Sequence, residues 1–225
     1  MELNVFEPIF LSLKIGLIST VFSAFFGIFF AYFLYDKNGI IKNLIETIII
    51  LPMILPPTIV GYFLLLLFGS NGILGEFLRH VFHTSIIFTW YAGILSSTIV
   101  SIPLMYQNAK SGFIGINNVY KDVASTLGLG KIKIFFKIEI PLAFPSLVSG
   151  IVLSFARSIG EFGSTLMLCG NIPGKTQTIS TAIFFAVENG KYSIANFLLF
   201  IMIIFSFFII LYLNIFLKKK IKNTY

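Results

Sequence analysis

Five long apolar stretches, separated by shorter polar ones, set the pattern of this chain. Residues 9–35, 44–68, 86–106, 143–169 and 194–217 each exceed the roughly 18 mainly apolar residues that a helix needs to cross a hydrocarbon core about 30 Å thick. The pattern predicts five transmembrane helices in an all-α integral membrane protein. Between the third and fourth runs lies residues 107–142, the one sizeable hydrophilic segment, too short for a catalytic domain; 1–225 reads as a single transmembrane domain. Within that segment the stretch from Asp122 to Leu127 looks helical and is ended by Gly128. From Lys131 to Ile140 the residues Ile132, Ile134, Phe136, Ile138 and Ile140 alternate as a strand would. Residues 176–188 are apolar in the middle but short, which suits an interfacial or re-entrant helix better than a crossing.

Composition agrees with lipid as the solvent. The chain is 57% hydrophobic and 11% charged, with 27 phenylalanines, against about 25% charged residues in soluble domains. The net charge of +7 then needs no nucleic-acid partner, because the basic residues follow the membrane topology. Lys37 and Lys42, the lysines of 107–142, and Lys218, Lys219, Lys220 and Lys222 fall on one side. Arg79, Lys175 and Lys191 fall on the other. Cytoplasmic loops are enriched in Lys and Arg, so the N-terminus is expected outside and the C-terminus in the cytoplasm. A signal peptide is not expected, since Glu2 and Glu7 replace a basic start and the first apolar run is too long. The single cysteine, Cys169, precludes an intramolecular disulfide and reads as a packing residue.

One stretch imitates a nucleotide site. CGNIPGKTQT (169–178) contains Gly-Lys-Thr, yet Gly170 and Gly174 are separated by three residues instead of the four a P-loop requires. It also lies at the outer end of the fourth run, where no ATP is available. No catalytic residue, cofactor or metal is expected. His80 and His83, three apart, lack the Cys or carboxylate cluster that would complete a metal site.

The spacing in 107–142 carries a resemblance. Asp122-Val123-Ala124, three residues, Gly128, nine residues, and Ile138-Glu139-Ile140-Pro141 resembles the EAA loop of the membrane subunits of bacterial ABC importers, with Asp122, Val123 and Ile140 as substitutions. In that family the loop forms a short helix pair docked into a cytoplasmic ATPase. The resemblance thus implies helices where alternation suggested a strand, and an ATPase-coupling role for Asp122, Ala124, Gly128, Ile138 and Pro141. With LSLKIGLIST, LPMILPPTIVGYFLLLLF and FARSIGEFGSTLMLCGNIPGKTQTISTAIF, it extends over nearly the whole chain and is similar to the permease subunits of molybdate ABC transporters. Sulfate permeases resemble it too but typically carry Gly-Glu-Tyr where this chain has Gly160-Glu161-Phe162. The resemblance implies a type I ABC importer permease, homodimeric, in the cell membrane, working with ABC ATPase subunits and an external molybdate-binding protein. A sulfate or tungstate permease, an ion-coupled transporter and a scaffold are the rival readings.

Several span residues invite a physical reading of their own. Pro52, Pro56 and Pro57 break the second run, as a static kink or as a hinge lining the path. Ser146, Gly150, Ser154 and Ser158, and a second row of Ala156, Gly160 and Ser164, let helices approach closely or line a pore. Arg157 and Glu161, four apart, are expected on one helix face as a neutral pair deep in the bilayer, either fixing register or meeting the substrate. Pro56, Pro57, Ser154, Arg157, Glu161 and Gly163 are accordingly the pore or gate candidates. Lys14 is expected to snorkel to the outer headgroups.

Overall fold

The computed structural model describes residues 5–222, so Glu2 and the last residue, Tyr225, lie outside the described residues. The described residues are helical almost throughout, and none forms a strand. The long helices are α1 (Phe6–Leu34), α5 (Trp90–Ile114), α8 (Ile140–Ile159) and α11 (Tyr192–Lys222). Shorter ones are α2 (Ile40–Ile54), α3 (Pro57–Phe68), α4 (Ile73–Phe82), α6 (Asn118–Thr126), α7 (Lys131–Ile134), α9 (Gly163–Cys169) and α10 (Ile179–Glu188). A single π-helical segment, Phe135–Glu139, joins α7 to α8, so residues 131–159 form one continuous rod. The alternating isoleucines of that stretch are thus helical, as the family resemblance implies. Their alternation is overridden by the helical hydrogen bonding carried through from α8.

Helix α5 is the hub, packed against α1, α2, α3, α8 and α9. Its position explains why it carries more polar residues than the other spans. Ser96, Ser97, Thr98 and Ser101 are all buried; the Ser96 and Ser101 hydroxyls bond a carbonyl or another hydroxyl, as a hydroxyl inside a bundle can, while Ser97 Oγ and Thr98 Oγ1 have no partner among the described residues. Ser101 Oγ donates to Ser97 O at 2.7 Å and to Ser23 Oγ of α1 at 3.1 Å. Ser154 Oγ of α8 donates to Ser101 O at 3.3 Å. Around this hub Met105, Tyr106, Ala109 and Phe113 meet Ala31 and Leu34 of α1 and Leu147 of α8 in one apolar cluster.

Three helical rods among the described residues are long and apolar enough to cross a membrane: 6–34, 131–159 and 192–218. The second expected span is two helices, α2 and α3, bent by 115° at the break. Leu55 is extended there, Pro56 precedes the first turn of α3 and Pro57 occupies it. This is where proline, with no N–H to offer, is tolerated. The third expected span is shifted toward the C-terminus, starting at Trp90 and running to Ile114. It is long enough at 25 residues, but its polarity suits a protein-facing helix.

The fourth expected span, 143–169, is not one helix. Helix α8 ends at Ile159, residues 160–162 leave the helical path, and α9 starts at Gly163. The carboxylate of Glu161 caps the new start, Oε1 accepting from Ser164 N–H at 3.0 Å and Ser164 Oγ at 2.7 Å. The two small-residue rows therefore separate. Ser154 and Ser158 are buried, Gly150 faces Met105 and Asn108 of α5, and Ser146 lies against Gly112. Of the second row only Ser164 is buried, while Ala156 and Gly160 are exposed, because the break takes Ser164 off their face.

The short apolar segment near the end is α10, capped by Thr178 and Thr181, each bonded to the other's backbone. At 10 residues it spans about 15 Å, half a bilayer. Ser12 Oγ of α1 accepts from Ile179 N–H at 2.8 Å and holds α10 in place. Lys14 does not simply extend outward; its Nζ lies 3.7 Å from the centroid of the Trp90 ring, a cation–π contact.

Where α3 meets α9 the fit depends on one missing side chain. A Cβ at Gly61 would lie 2.7 Å from Ser164 Cα and 3.0 Å from Met167 Cβ, so backbone would have to move. Gly61→Val is expected to cost about 1 to 3 kcal/mol as an overpacking change, read as a lowered midpoint of thermal unfolding in detergent; an unchanged midpoint would show that α3 and α9 are free to separate.

Candidate functional site

Of the pore and gate candidates, all but Ser154 lie at or beside the place where the two broken spans touch. A Cβ on Gly163 would lie 3.1 Å from both Pro57 Cβ and Thr58 N, so the start of α9 rests on the start of α3. Two helix N-termini thus abut, each following a break: one made by Pro56 and Pro57, the other by Gly160 to Phe162. Non-helical backbone at membrane depth is tolerated only where protein or a watery cavity surrounds it, and here each break lies against the other.

Beside this junction Arg157 Nη1 donates to Glu161 Oε2 at 2.5 Å. The Glu161 side chain is 1% exposed, that of Arg157 31%. All of the carboxylate's bonds come from this arginine and Ser164. The two residues are not on one face of a continuous helix as expected, since Glu161 belongs to the break, yet the pairing itself is present. The two formal charges offset each other. Ser154 stands apart from the junction, turned toward α5.

The coupling candidates gather at the opposite end of α8. Helix α6 is capped by Asn117, whose side chain accepts from Val119 N–H at 3.0 Å. Asp122 is exposed and Ala124 buried. The carbonyl of Asp122 accepts from Ser125 and Thr126 hydroxyls, both at 2.8 Å. Gly128, at φ +79°, reverses the chain out of α6, with its N–H bonded to Ser125 O and Leu129 N–H to Ala124 O. Ile138 lies in the π-helical segment and Pro141 in the first turn of α8. Val123, Leu127, Ile132 and Phe136 leave an apolar exposed surface around them.

Two charged clusters near this end escape a reading based on motifs. Glu46 of α2 accepts from Tyr106 and from Lys110 Nζ of α5, and pairs with Lys42 at 3.2 Å. Glu139 is 3% exposed and accepts from Tyr35 Oη at 2.9 Å, with Lys121 Nζ 3.7 Å away. The i, i+4 spacing of Lys42 and Glu46 is visible in the sequence; the partners on other helices are not. Glu139 occupies the unconstrained position between Ile138 and Ile140, so the spacing gives it no role. The two histidines remain peripheral, His80 lying 3.8 Å from Glu76 on the exposed α4. No group of three or more potential metal ligands occurs among the described residues. Gly174 and Lys175 form a turn after α9, in which Thr176 N–H and Lys175 N–H both bond to Ile172 O; a P-loop would instead join a strand to a helix.

An all-helical bundle of long apolar rods, with broken, abutting helix ends at one end and an exposed helix pair at the other, defines a multi-pass membrane protein. Residues 23–222 match the profile of the family described as binding-protein-dependent transport system inner membrane component, and the chain belongs to that family, whose members are multi-pass proteins of the inner membrane. It is 40% identical over 190 residues, 84% of each chain, to the putative molybdenum transport system permease protein YvgM of Bacillus subtilis. It is 38% identical over 182 residues, 81% of this chain and 80% of the other, to the molybdenum transport system permease protein ModB of Escherichia coli K12. A chain of the MetNI methionine ABC transporter, solved in inward facing conformations, aligns with a TM-score of 0.73 at 16% identity, covering 96% of this chain and 95% of that one. The fold is therefore the type I ABC importer permease fold.

Proposed function

We propose that this chain is the permease subunit of an ATP-driven importer that passes molybdate into the cytoplasm. The observation that carries this reading is the similarity, across about four fifths of the chain, to two permeases named for molybdenum transport. A pair of ABC ATPase subunits would bind the exposed surface of α6 and α7, and an external binding protein would deliver the oxyanion to the outer loops. ATP hydrolysis would belong to the ATPase alone. The permeation path would form between two copies of the chain, with Pro56, Pro57, Arg157, Glu161 and Gly163 beside it at the junction and Ser154 helping to hold α8 on α5. Five crossings, with the N-terminus outside, remain the topology that best fits the lysines and the rod lengths, counting bent α2 and α3 together as one and protein-facing α5 as another.

The test is uptake of radiolabelled molybdate by vesicles containing the chain, its ATPase and its binding protein. Uptake is expected to require ATP and all three components, and to persist under an excess of sulfate. Sulfate uptake at the same rate would replace molybdate with the sulfate reading; uptake driven by an ion gradient without ATP would replace the importer class altogether. Topology is checked separately: a reporter inserted beside Lys175 is expected to read external and one after the last residue cytoplasmic. A cytoplasmic reading at Lys175 would overturn the five-crossing arrangement.

A further inference from the structure

We propose that Lys121, Glu139 and Tyr35 form a polar strut that carries movement of α6 into α1 and α8, making them positioning residues for energy coupling. The inference rests on the reading of α6 as the ATPase contact and adds how force leaves it. Helix α6 buries a single residue, Ala124, so apolar packing alone fixes it weakly to the rest of the protein. Lys121, on the α6 turn that begins the coupling motif, crosses this gap. Its Nζ lies 3.2 Å from Tyr35 Oη and 3.7 Å from Glu139 Oε1, and 4.9 Å from the centre of the Tyr35 ring. Tyr35 Oη donates to the same carboxylate oxygen at 2.9 Å. Three separate elements, the end of α1, α6 and the π-helical segment, thus meet at one oxygen atom.

The location of Glu139 gives the strut its leverage. It ends the π-helical segment Phe135–Glu139, and such local widenings of a helix recur at functional positions. Phe135 of the same segment lies 4.3 Å from Tyr32 and 6.1 Å from Phe113, ring centre to ring centre, so the segment is wedged beneath α1 and α5. From there α8 runs without interruption to Ile159, next to the Arg157–Glu161 pair. A carboxylate that is 3% exposed holds its charge only with partners, since an unpaired buried charge is strongly disfavoured. Movement of α6 that pulled Lys121 away would therefore be resisted, and Glu139 and Tyr35 would follow it.

The experiment uses the complete transporter with its ATPase and binding protein, measuring ATPase capture, ATP hydrolysis and molybdate uptake on the same membranes. The principal variant is the double substitution Lys121→Met with Glu139→Gln, which removes the strut without leaving a buried charge alone; Lys121→Arg keeps a cation in reach. The double variant is expected to retain ATPase capture and hydrolysis while molybdate transported per ATP falls about tenfold, the factor corresponding to roughly 1.4 kcal/mol of lost coupling. Tyr35→Phe is expected to fall part of the way, and Lys121→Arg to stay near the unmodified ratio. An unchanged ratio in the double variant would overturn the strut, and so would parallel loss of capture and uptake, which would make these residues part of docking. Failure of the unmodified transporter to bind the ATPase or take up molybdate would instead refute the underlying functional reading.

Discussion

Arg157→Met is expected to destabilise the protein by about 3 to 5 kcal/mol, the range found when one partner of a buried ion pair is removed. The size follows from the unequal burial of the two side chains, 1% exposed for Glu161 and 31% for Arg157. Without the guanidinium, the carboxylate keeps only the Ser164 amide and hydroxyl, which lowers its cost but does not cancel its charge. The reverse substitution behaves differently. Glu161→Gln leaves a partly exposed arginine that can turn outward, so its structural loss is expected at about 1 kcal/mol, the scale of one hydrogen bond. Its functional loss should be the larger of the two effects, because an uncompensated cation beside the proposed path would hold a dianion and slow its release. The double variant is expected to recover most of the stability lost in Arg157→Met. Thermal unfolding in detergent decides the first part: equal losses for the two single substitutions would show that the pair is not the charge-compensating unit described above. Uptake by Glu161→Gln vesicles decides the second, and undiminished uptake would remove the pair from the path.

Gly128→Val is expected to weaken ATPase capture and molybdate uptake together, each about five- to thirtyfold. Gly128 has φ +79° and open space where a Cβ would be added, so no clash is involved; the cost is purely backbone strain, about 1 to 2 kcal/mol for an L-residue in the left-handed region. Valine, branched at Cβ, is among the least suited to that conformation. The chain can relieve the strain only by rotating out of it. That rotation would also break the bonds from Gly128 N–H to Ser125 O and from Leu129 N–H to Ala124 O, tilting α6 relative to α7. Membrane insertion should be intact because no long helix is touched. Lys175→Ala, in the turn after α9, serves as the control and is expected to leave capture unchanged. Pull-down of the ATPase together with uptake from the same membranes checks the prediction; normal capture and normal uptake by Gly128→Val would remove the loop as the coupling element.

What could be read from the sequence depended on how local each feature is. The long apolar runs required only the thickness of a bilayer, and the helix end at Gly128 only the glycine and the pattern before it. The isoleucine alternation of Lys131 to Ile140 was ambiguous between strand and helix, and the spacing of Asp122, Ala124, Gly128 and Pro141 resolved it by resemblance. The buried hydroxyls of α5 are also a tertiary matter. Ser96 meets Thr165 of α9 at 3.2 Å and Ser101 meets Ser23 of α1 at 3.1 Å, and no property of residues 90–114 alone announces those partners.

The breaks show the same division more sharply. The adjacent Pro56 and Pro57 favour an interruption, because proline cannot continue the hydrogen-bond ladder, but Pro52, Pro103 and Pro145 lie inside helices, and the 115° bend and its contact with Gly163 were decided by the packing of α3 on α9. The interruption after Ile159 has no proline to mark it; a glycine and a carboxylate that bonds forward to Ser164 produce it, and both are compatible with a straight helix in isolation. Likewise Glu139 and Glu46 are single acidic residues in sequence and become shared acceptors only when helices up to 104 positions apart meet. The sequence by itself determined the lipid solvent, the long apolar spans and the charge asymmetry, since each follows from residue type and short spacing. The tertiary structure alone decided which broken ends abut and which charges are paired, since those depend on contacts between residues that the chain brings together only on folding.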